Sequence, residues 1–131
     1  MICEHFNVCG GCLWQDVPYE EQVSRKQETV KSVFHHLGID NVRAILPSEK
    51  IFYYRNKMEF AFGKDSLGLK QKGKYDQVVD IKKCLLLSET SNEVIEVVRN
   101  WARENRLEHY DTHRHEGLLR HLVLREAKMT G

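Results

Sequence analysis

The feature that most constrains this 131-residue chain is the distribution of its four cysteines. Cys3, Cys9 and Cys12 lie within ten residues, whereas Cys84 stands far along the chain. A trio with one distant partner is a poor disulfide framework, because the trio would have to pair partly within itself. Thiolates are soft ligands, and four of them complete a tetrahedral zinc site or a [4Fe–4S] cluster. The pattern therefore predicts a metal centre that joins the N-terminal loop to the segment around Cys84.

The cysteine spacing alone leaves the identity of the metal open. Zinc sites usually have two C-x2-C knuckles, and only Cys9–Cys12 has that spacing, so the pattern favours a cluster only slightly. Gly10 and Gly11 have no Cβ, so the backbone can turn there and bring its N–H groups to an anionic centre. Unrelated buried thiols and secreted disulfides are the alternatives. Both are disfavoured, because the trio lies in a glycine-rich stretch and no apolar signal segment precedes Cys3.

Hydrophobic periodicity predicts an α+β fold. Apolar stripes of helical period run over residues 18–37 and 88–106, and Ser88 is a suitable N-cap for the second helix. Strand-like alternation marks four segments, at residues 52–63, 67–70, 78–81 and 118–126, and turns are predicted at residues 63–66 and 72–74. The prediction is an N-terminal cysteine loop and two amphipathic helices packed on a mainly antiparallel sheet, with the last strand interior because it is apolar on both faces. The loop before that strand is expected to be mobile and holds His109, His113 and His115.

The formal charge of +1 is unevenly distributed along the chain. Between Lys50 and Lys83, nine Lys/Arg oppose four Asp/Glu, a balance of +5, while the rest of the chain carries −4. The same stretch holds six of the twelve aromatic residues. No apolar run is long enough to span a membrane.

Four motifs in order carry a resemblance to a known family. They are C-x5-C-G-G-C-x2-Q at Cys3–Gln15, the heptapeptide Tyr-Arg-Asn-Lys-Met-Glu-Phe at Tyr54–Phe60, Cys84, and the segment Leu119–Glu126. Together they cover nearly the whole chain. The sequence resembles the iron–sulfur-containing RNA (uracil-5-)-methyltransferases of the 23S rRNA type, and specifically their cluster-bearing central domain.

The resemblance implies a [4Fe–4S] cluster held by Cys3, Cys9, Cys12 and Cys84. Residues 1–15 with Cys84 are then the cluster-binding loop, and residues 16–131 are a central α+β RNA-docking domain, truncated before a methyltransferase domain that binds S-adenosylmethionine. The implied activity is methylation of uracil C5 in RNA, with 23S rRNA as the expected substrate. The resemblance also implies a cytoplasmic location, structured RNA as the partner, and neither membrane nor DNA binding.

The chain departs from the family pattern in ways that limit what can be assigned. Family members have an RNA-binding β-barrel before the cluster motif and a Rossmann-like domain with the cysteine nucleophile after it. The present sequence has no glycine-rich cofactor fingerprint and no fifth cysteine, so it offers no catalytic or cofactor-binding residue. Residues 128–131 resemble a turn before a further strand, which predicts a domain excised from a longer enzyme. The alternative is a non-catalytic, zinc- or cluster-stabilised RNA-binding module.

The basic middle of the chain supplies the candidate RNA contacts. Chemistry at uracil C5 and C6 requires the base to leave its stack, and a neighbouring domain can hold the phosphates meanwhile. Arg55 and Lys57 are predicted to share one strand face, and Lys72 and Lys74 to crowd one turn. These four residues are the predicted RNA contacts. For Arg55 and Lys57, RNA contact and a solvated face without a ligand are equally favoured interpretations.

Overall fold

The computed structural model describes residues 2–128. The predicted α+β class is confirmed, with two helices and a four-stranded antiparallel sheet among these residues. In chain order the elements are α1 (Tyr19–His35), β1 (Lys57–Gly63), β2 (Ser66–Gln71), β3 (Lys74–Asp80), α2 (Glu89–Glu104) and β4 (His121–Arg125). The predicted turn at 128–131 falls mainly on residues 129–131, which lie outside the described part. Neither described helix is long and apolar enough to cross a membrane.

The chain divides into two compact units. The helical unit is Trp14–Ile51, and the sheet unit comprises the chain up to Leu13 and from Phe52 onward. In the helical unit an extended segment follows α1 and is bonded to it by two side chains. Gln27 donates to the carbonyl of Arg43 (3.2 Å), and the Ser48 N–H donates to the Tyr19 hydroxyl (2.7 Å). No residue of α1 is buried.

The sheet has the order β3-β2-β1-β4, and its core lies between one face and α2. Two tight turns, at residues 64–65 and 72–73, join the first three strands as predicted. The fully buried side chains are Phe60, Leu67, Ile81, Leu87 and Ile95. Helix α2 begins at the predicted N-cap, where the Ser88 hydroxyl accepts from the Ser91 N–H (3.0 Å). Such a cap satisfies a donor that the first helical turn would otherwise leave unpaired.

Strand β1 begins five residues later than its sequence pattern indicates. Tyr53 has a φ of +55°, which interrupts the extended run. The N–H groups of Tyr53 and Arg55 donate to the carbonyls of Leu85 (2.8 Å) and Leu86 (2.9 Å). The segment before β1 is therefore held by the chain around Cys84, and the sheet begins only at Lys57.

One prediction about the C-terminal part is wrong. β4 is an edge strand of the described sheet and not an interior one. Leu122 and Leu124 pack on the core, while Val123 is 47% exposed on the other face. The segment predicted to be a mobile loop contains a hydrogen-bonded turn. In it the Asp111 carboxylate accepts from the N–H groups of His113 (2.8 Å) and Arg114 (3.1 Å). Hydrogen bonds from Arg114 and His113 lower the Asp111 pKa to about 2.

Candidate metal centre and nucleic-acid interface

The cysteine loop is fastened along β2. Its Gly10 N–H donates to the carbonyl of Lys70 (2.9 Å), and the carbonyl of Val8 accepts from the Lys72 N–H (2.8 Å). An isolated bridge pairs Cys9 with Gln71 between these bonds. This pairing satisfies backbone groups of β2 that β1 does not reach, because β1 and β2 pair only over residues 61–63 and 66–68. The loop thus has a fixed register on the sheet.

Cys84 is held on the opposite side of the same site by a buried asparagine. The Cys84 N–H donates to Oδ1 of Asn92 (2.7 Å), and Nδ2 of Asn92 donates to the carbonyl of Cys84 (3.1 Å). The adjacent residue Lys83 has its carbonyl oxygen 4.0 Å from the sulfur of Cys3. The Lys82 N–H donates to Nε2 of His5 (3.3 Å). The N-terminal loop and the Cys84 segment are therefore neighbours, although about eighty residues separate them in sequence.

The four cysteines gather at one place in the sheet unit. Cys84 belongs to the buried core, and Cys9 and Cys12 pack against that core. Burial raises the pKa of the Cys9, Cys12 and Cys84 thiols above their ordinary value of 9.0, and the neighbouring thiols, including Cys3, raise each of them further. Without a compensating cation these side chains are neutral thiols at pH 7. Metal binding must displace their protons, as it does in thiolate sites generally.

At the loop cysteines Cys9 and Cys12, two groups oppose this effect and favour the thiolate form. The Gly11 N–H donates to the sulfur of Cys9 (3.2 Å), and the Arg55 guanidinium acts on Cys12; each lowers the pKa of its cysteine. A Cβ at Gly11 would lie 3.0 Å from Cδ1 of Leu69 and 3.3 Å from the sulfur of Cys9. Only glycine fits this approach without a shift of its neighbours. The N–H donor and the charge beside the sulfurs are features that suit anionic thiolate centres.

The donor set therefore fits a thiolate-bound centre in its chemistry. As it stands, however, no group of three His, Cys, Asp or Glu side chains within residues 2–128 is arranged to hold a metal ion. The four thiols interact electrostatically yet do not form a preformed single-ion site. His5 and Asn92 were not singled out in the sequence. The signal for Asn92 was its place on the helix face that also carries Ile95, where a polar residue is buried.

The predicted RNA contacts are separated by the structure. Arg55 precedes β1, is half-buried, and places Nη1 3.4 Å from the sulfur of Met58, so the prediction that it shares a strand face with Lys57 is wrong. Lys57 and Lys74 are exposed at the starts of β1 and β3. Arg55 and Lys72 line one open groove of about 550 Å³ beside the cysteine loop. The groove was not apparent from sequence, because it depends on where β1 and β2 part.

The fold and site define an α+β unit with a cysteine-bearing loop beside a basic groove. No protein-family model matches the chain. It is 40% identical over 136 residues to an uncharacterized RNA methyltransferase of Caldanaerobacter subterraneus subsp. tengcongensis, and 36% identical over 128 residues to the tRNA (uracil(54)-C(5))-methyltransferase of Pyrococcus abyssi. Each match covers 98% of this chain and 30% of the relative.

A solved structure agrees with these relatives. The crystal structure of the Pyrococcus abyssi tRNA (uracil-54, C5)-methyltransferase in complex with S-adenosyl-L-homocysteine matches with a TM-score of 0.78 and 36% identity, over 93% of this chain and 29% of that one. The homologues of the chain are thus RNA and tRNA uracil-C5 methyltransferases. The chain spans about 30% of the length of the curated relatives it matches.

Proposed function

We propose that the chain is the RNA-docking and cluster-bearing part of a cytoplasmic, S-adenosylmethionine-dependent RNA (uracil-C5) methyltransferase. The observation that carries the proposal is the similarity of sequence and fold along almost the whole chain to enzymes named for that reaction. The sequence provides no cysteine beyond the four that gather at this site. The part of this chain in the reaction is therefore to bind and orient RNA, while methyl transfer belongs to a further domain.

The substrate we propose is tRNA. The relatives whose names give a substrate are tRNA (uracil(54)-C(5))-methyltransferases, whereas the motif resemblance implied 23S rRNA. Titration of the chain with a tRNA transcript and with a 23S rRNA fragment of equal length compares the two directly. Preferential binding of tRNA is expected, and preferential binding of the rRNA fragment would favour 23S rRNA as the substrate.

We further propose that Cys3, Cys9, Cys12 and Cys84 hold a [4Fe–4S] cluster. Support comes from the four thiols that interact with one another at the core, and from the N–H donor on the Cys9 sulfur. The bound group would supply a crosslink between the N-terminal loop and the Cys84 segment. Methyl transfer with a cysteine nucleophile requires no redox step, so we assign the centre a structural role.

Metal analysis of protein purified without oxygen tests the centre first. About four iron and four sulfide per chain are expected for a [4Fe–4S] cluster. One zinc per chain without colour would favour the non-catalytic module instead, and absence of any bound metal would contradict the site.

A Cys84→Ser variant tests the ligand assignment with an internal control. Loss of most of the bound iron and a lower melting temperature are expected in the loaded protein, because metal-binding free energy contributes directly to folding. After chelation both proteins should melt within a few degrees of each other. If the gap persists unchanged without metal, Cys84 is a packing residue and not a ligand.

The non-catalytic module is the second candidate. A reading frame that continues past Gly131 into a strand and a glycine-rich cofactor loop supports the enzyme, and a stop codon there supports the module. The proposed RNA contacts, Arg55, Lys57, Lys72 and Lys74, serve either function.

A further inference from the structure

The groove beside the cysteine loop lies where two neighbouring strands part. β1 and β2 pair from Gly63 and Ser66 back to Ala61 and Gly68, and no pair of the two strands is registered beyond that point. Further along, the β2 edge is taken by the cysteine loop, while β1 pairs with β4. The fork between β1 and the loop is an open recess of about 550 Å³. Clefts of about 300–1,000 Å³ hold small ligands or short segments of a polymer.

The walls of the groove are cationic. Arg55, Lys70 and Lys72 line it, and Glu59 is the carboxylate among the lining residues. The Glu59 carboxylate already lies 3.5 Å from Nδ1 of His121. Lys70 and Lys72 are exposed and form no ion pair within residues 2–128. Three cationic residues therefore border one recess, which favours an anionic partner there.

Small residues make up part of the groove lining, beside Met58 and Leu69. Ala61 and Gly68 face each other at the fork, and Gly10 and Gly11 form part of one wall. No Phe, Tyr or Trp is among the residues of the described chain that line the recess. A site for bases needs a stacking platform, whereas phosphates need charges at the sides and room for a backbone. The groove therefore has the chemistry of a phosphate channel.

On the basis of the proposed RNA-docking function, we propose that this groove seats an unpaired RNA strand by its phosphates, with Lys70 and Lys72 as paired contacts and the bases turned outward. A duplex presents its phosphates on a rigid convex surface and cannot lower them into a recess of this size, whereas an unpaired strand can turn its backbone inward. The site reads no base, so its affinity is independent of sequence.

The backbone of the cysteine loop sets the position of both lysines. The Lys70 carbonyl accepts from Gly10 and the Lys72 N–H donates to Val8, so the two ammonium groups extend from a strand edge that the loop holds. Arg55 faces the same recess from the segment before β1. The three cations are thus carried by backbone that the fold already fixes, which lowers the entropic cost of ordering them on binding.

The test is a salt titration of binding to an unstructured RNA 12-mer, with the metal-loaded full chain and a Lys70→Ala/Lys72→Ala variant. For single strands each phosphate contact contributes about 0.7 to the salt slope, so the double variant should lower the slope by about 1.4. The same slope makes the variant about 25-fold weaker at 0.1 M salt than the parent and nearly equal to it close to 1 M. Unchanged metal content and melting temperature show that the variant is folded.

A matched variant separates the groove from the wider basic surface. Lys31→Ala/Lys50→Ala removes two exposed lysines that do not line the recess and are not among the proposed RNA contacts, and little change in binding to the 12-mer is expected. If this variant loses affinity for the 12-mer while Lys70→Ala/Lys72→Ala keeps it, the groove is not the binding site, although the chain still binds RNA. Equal binding of the 12-mer and of its duplex also overturns the groove. If the loaded chain binds neither tRNA nor the 12-mer, both the groove proposal and the proposed function are overturned.

Discussion

Replacement of Asn92 by alanine should destabilise the sheet unit more than any exposed change in α2. Asn92 is 7% exposed and bonds four backbone groups: Cys84 N–H, Cys84 C=O, Leu87 C=O and Ser88 C=O. Two of the three carbonyls keep a backbone donor when the amide is removed, Cys84 C=O from Leu87 and Ser88 C=O from residue 92 itself. The N–H of Cys84 is the group that loses its acceptor in a buried position.

The expected cost follows from that orphaned donor. A buried donor left without a partner costs about 1–3 kcal/mol, and alanine recovers roughly 0.5 kcal/mol through its higher helix propensity. The lost amide bonds to the three carbonyls add about 1 kcal/mol, since two of these groups retain other partners. A net loss of about 2.5 kcal/mol is expected. For a chain of 131 residues this corresponds to a fall in Tm of roughly 10 °C, between the shifts typical of smaller and larger domains.

The assay is urea unfolding of the reduced, metal-free chain, with Asn105→Ala as the matched control. Asn105 caps the other end of the same helix, and its Nδ2 donates to the carbonyl of Trp101 (2.8 Å) at the surface. The control should change stability by less than about 0.5 kcal/mol. A lower midpoint with an unchanged m-value is expected for Asn92→Ala. If the free energies of unfolding of the two variants agree within about 0.5 kcal/mol, the hydrogen bonds between Asn92 and Cys84 do not stabilise the fold.

Two further changes test the C-terminal part. Hydrogen bonds from Lys128 and from two serines at the start of α2 lower the Glu126 pKa from 4.5 to about 2, so its stabilising effect is complete above pH 4.5 and disappears as the pH falls towards 2. Melting curves from pH 7 to 2 should show a smaller loss for Glu126→Gln than for the parent, and parallel curves would contradict this assignment. Gly117 has a φ of +102°, and a Cβ there would lie 2.0 Å from the carbonyl oxygen of His109. Gly117→Ala should therefore lower Tm clearly more than Gly38→Ala, whose Cβ meets nothing within 4 Å, and equal shifts would refute the steric argument.

Local sequence signals predicted the features that depend on neighbouring residues. The turns at 64–65 and 72–73, the Ser88 cap and the gathering of helices and strands into an α+β fold all follow from patterns a few residues long. The cysteine spacing likewise indicated that Cys84 returns to the N-terminal trio, and the structure places Cys3 beside Lys83. Short-range rules suffice when the chain itself supplies the partner.

The features that the sequence did not reveal depend on distant partners. β1 was predicted too long. The alternation of residues 52–56 gives no sign that the Tyr53 and Arg55 N–H groups donate to the carbonyls of Leu85 and Leu86 and not to a neighbouring strand. Arg55 was predicted to share a strand face with Lys57, yet it precedes the strand and lies by Met58 and Cys12. Val123 made β4 resemble an interior strand, although it faces outward. Each error concerns a contact between segments that no local periodicity encodes.

The position of β1 between β2 and β4 has a consequence for synthesis of the chain. Its partner on one side follows at once, whereas residues 64–120 must be made before β4 can pair on the other. At about 5–20 residues per second, that interval is on the order of 3–11 seconds on the ribosome. Until then the strand that carries Met58 and Phe60 presents an unpaired apolar edge. The nascent chain is therefore prone to aggregate during this interval, before β4 has emerged.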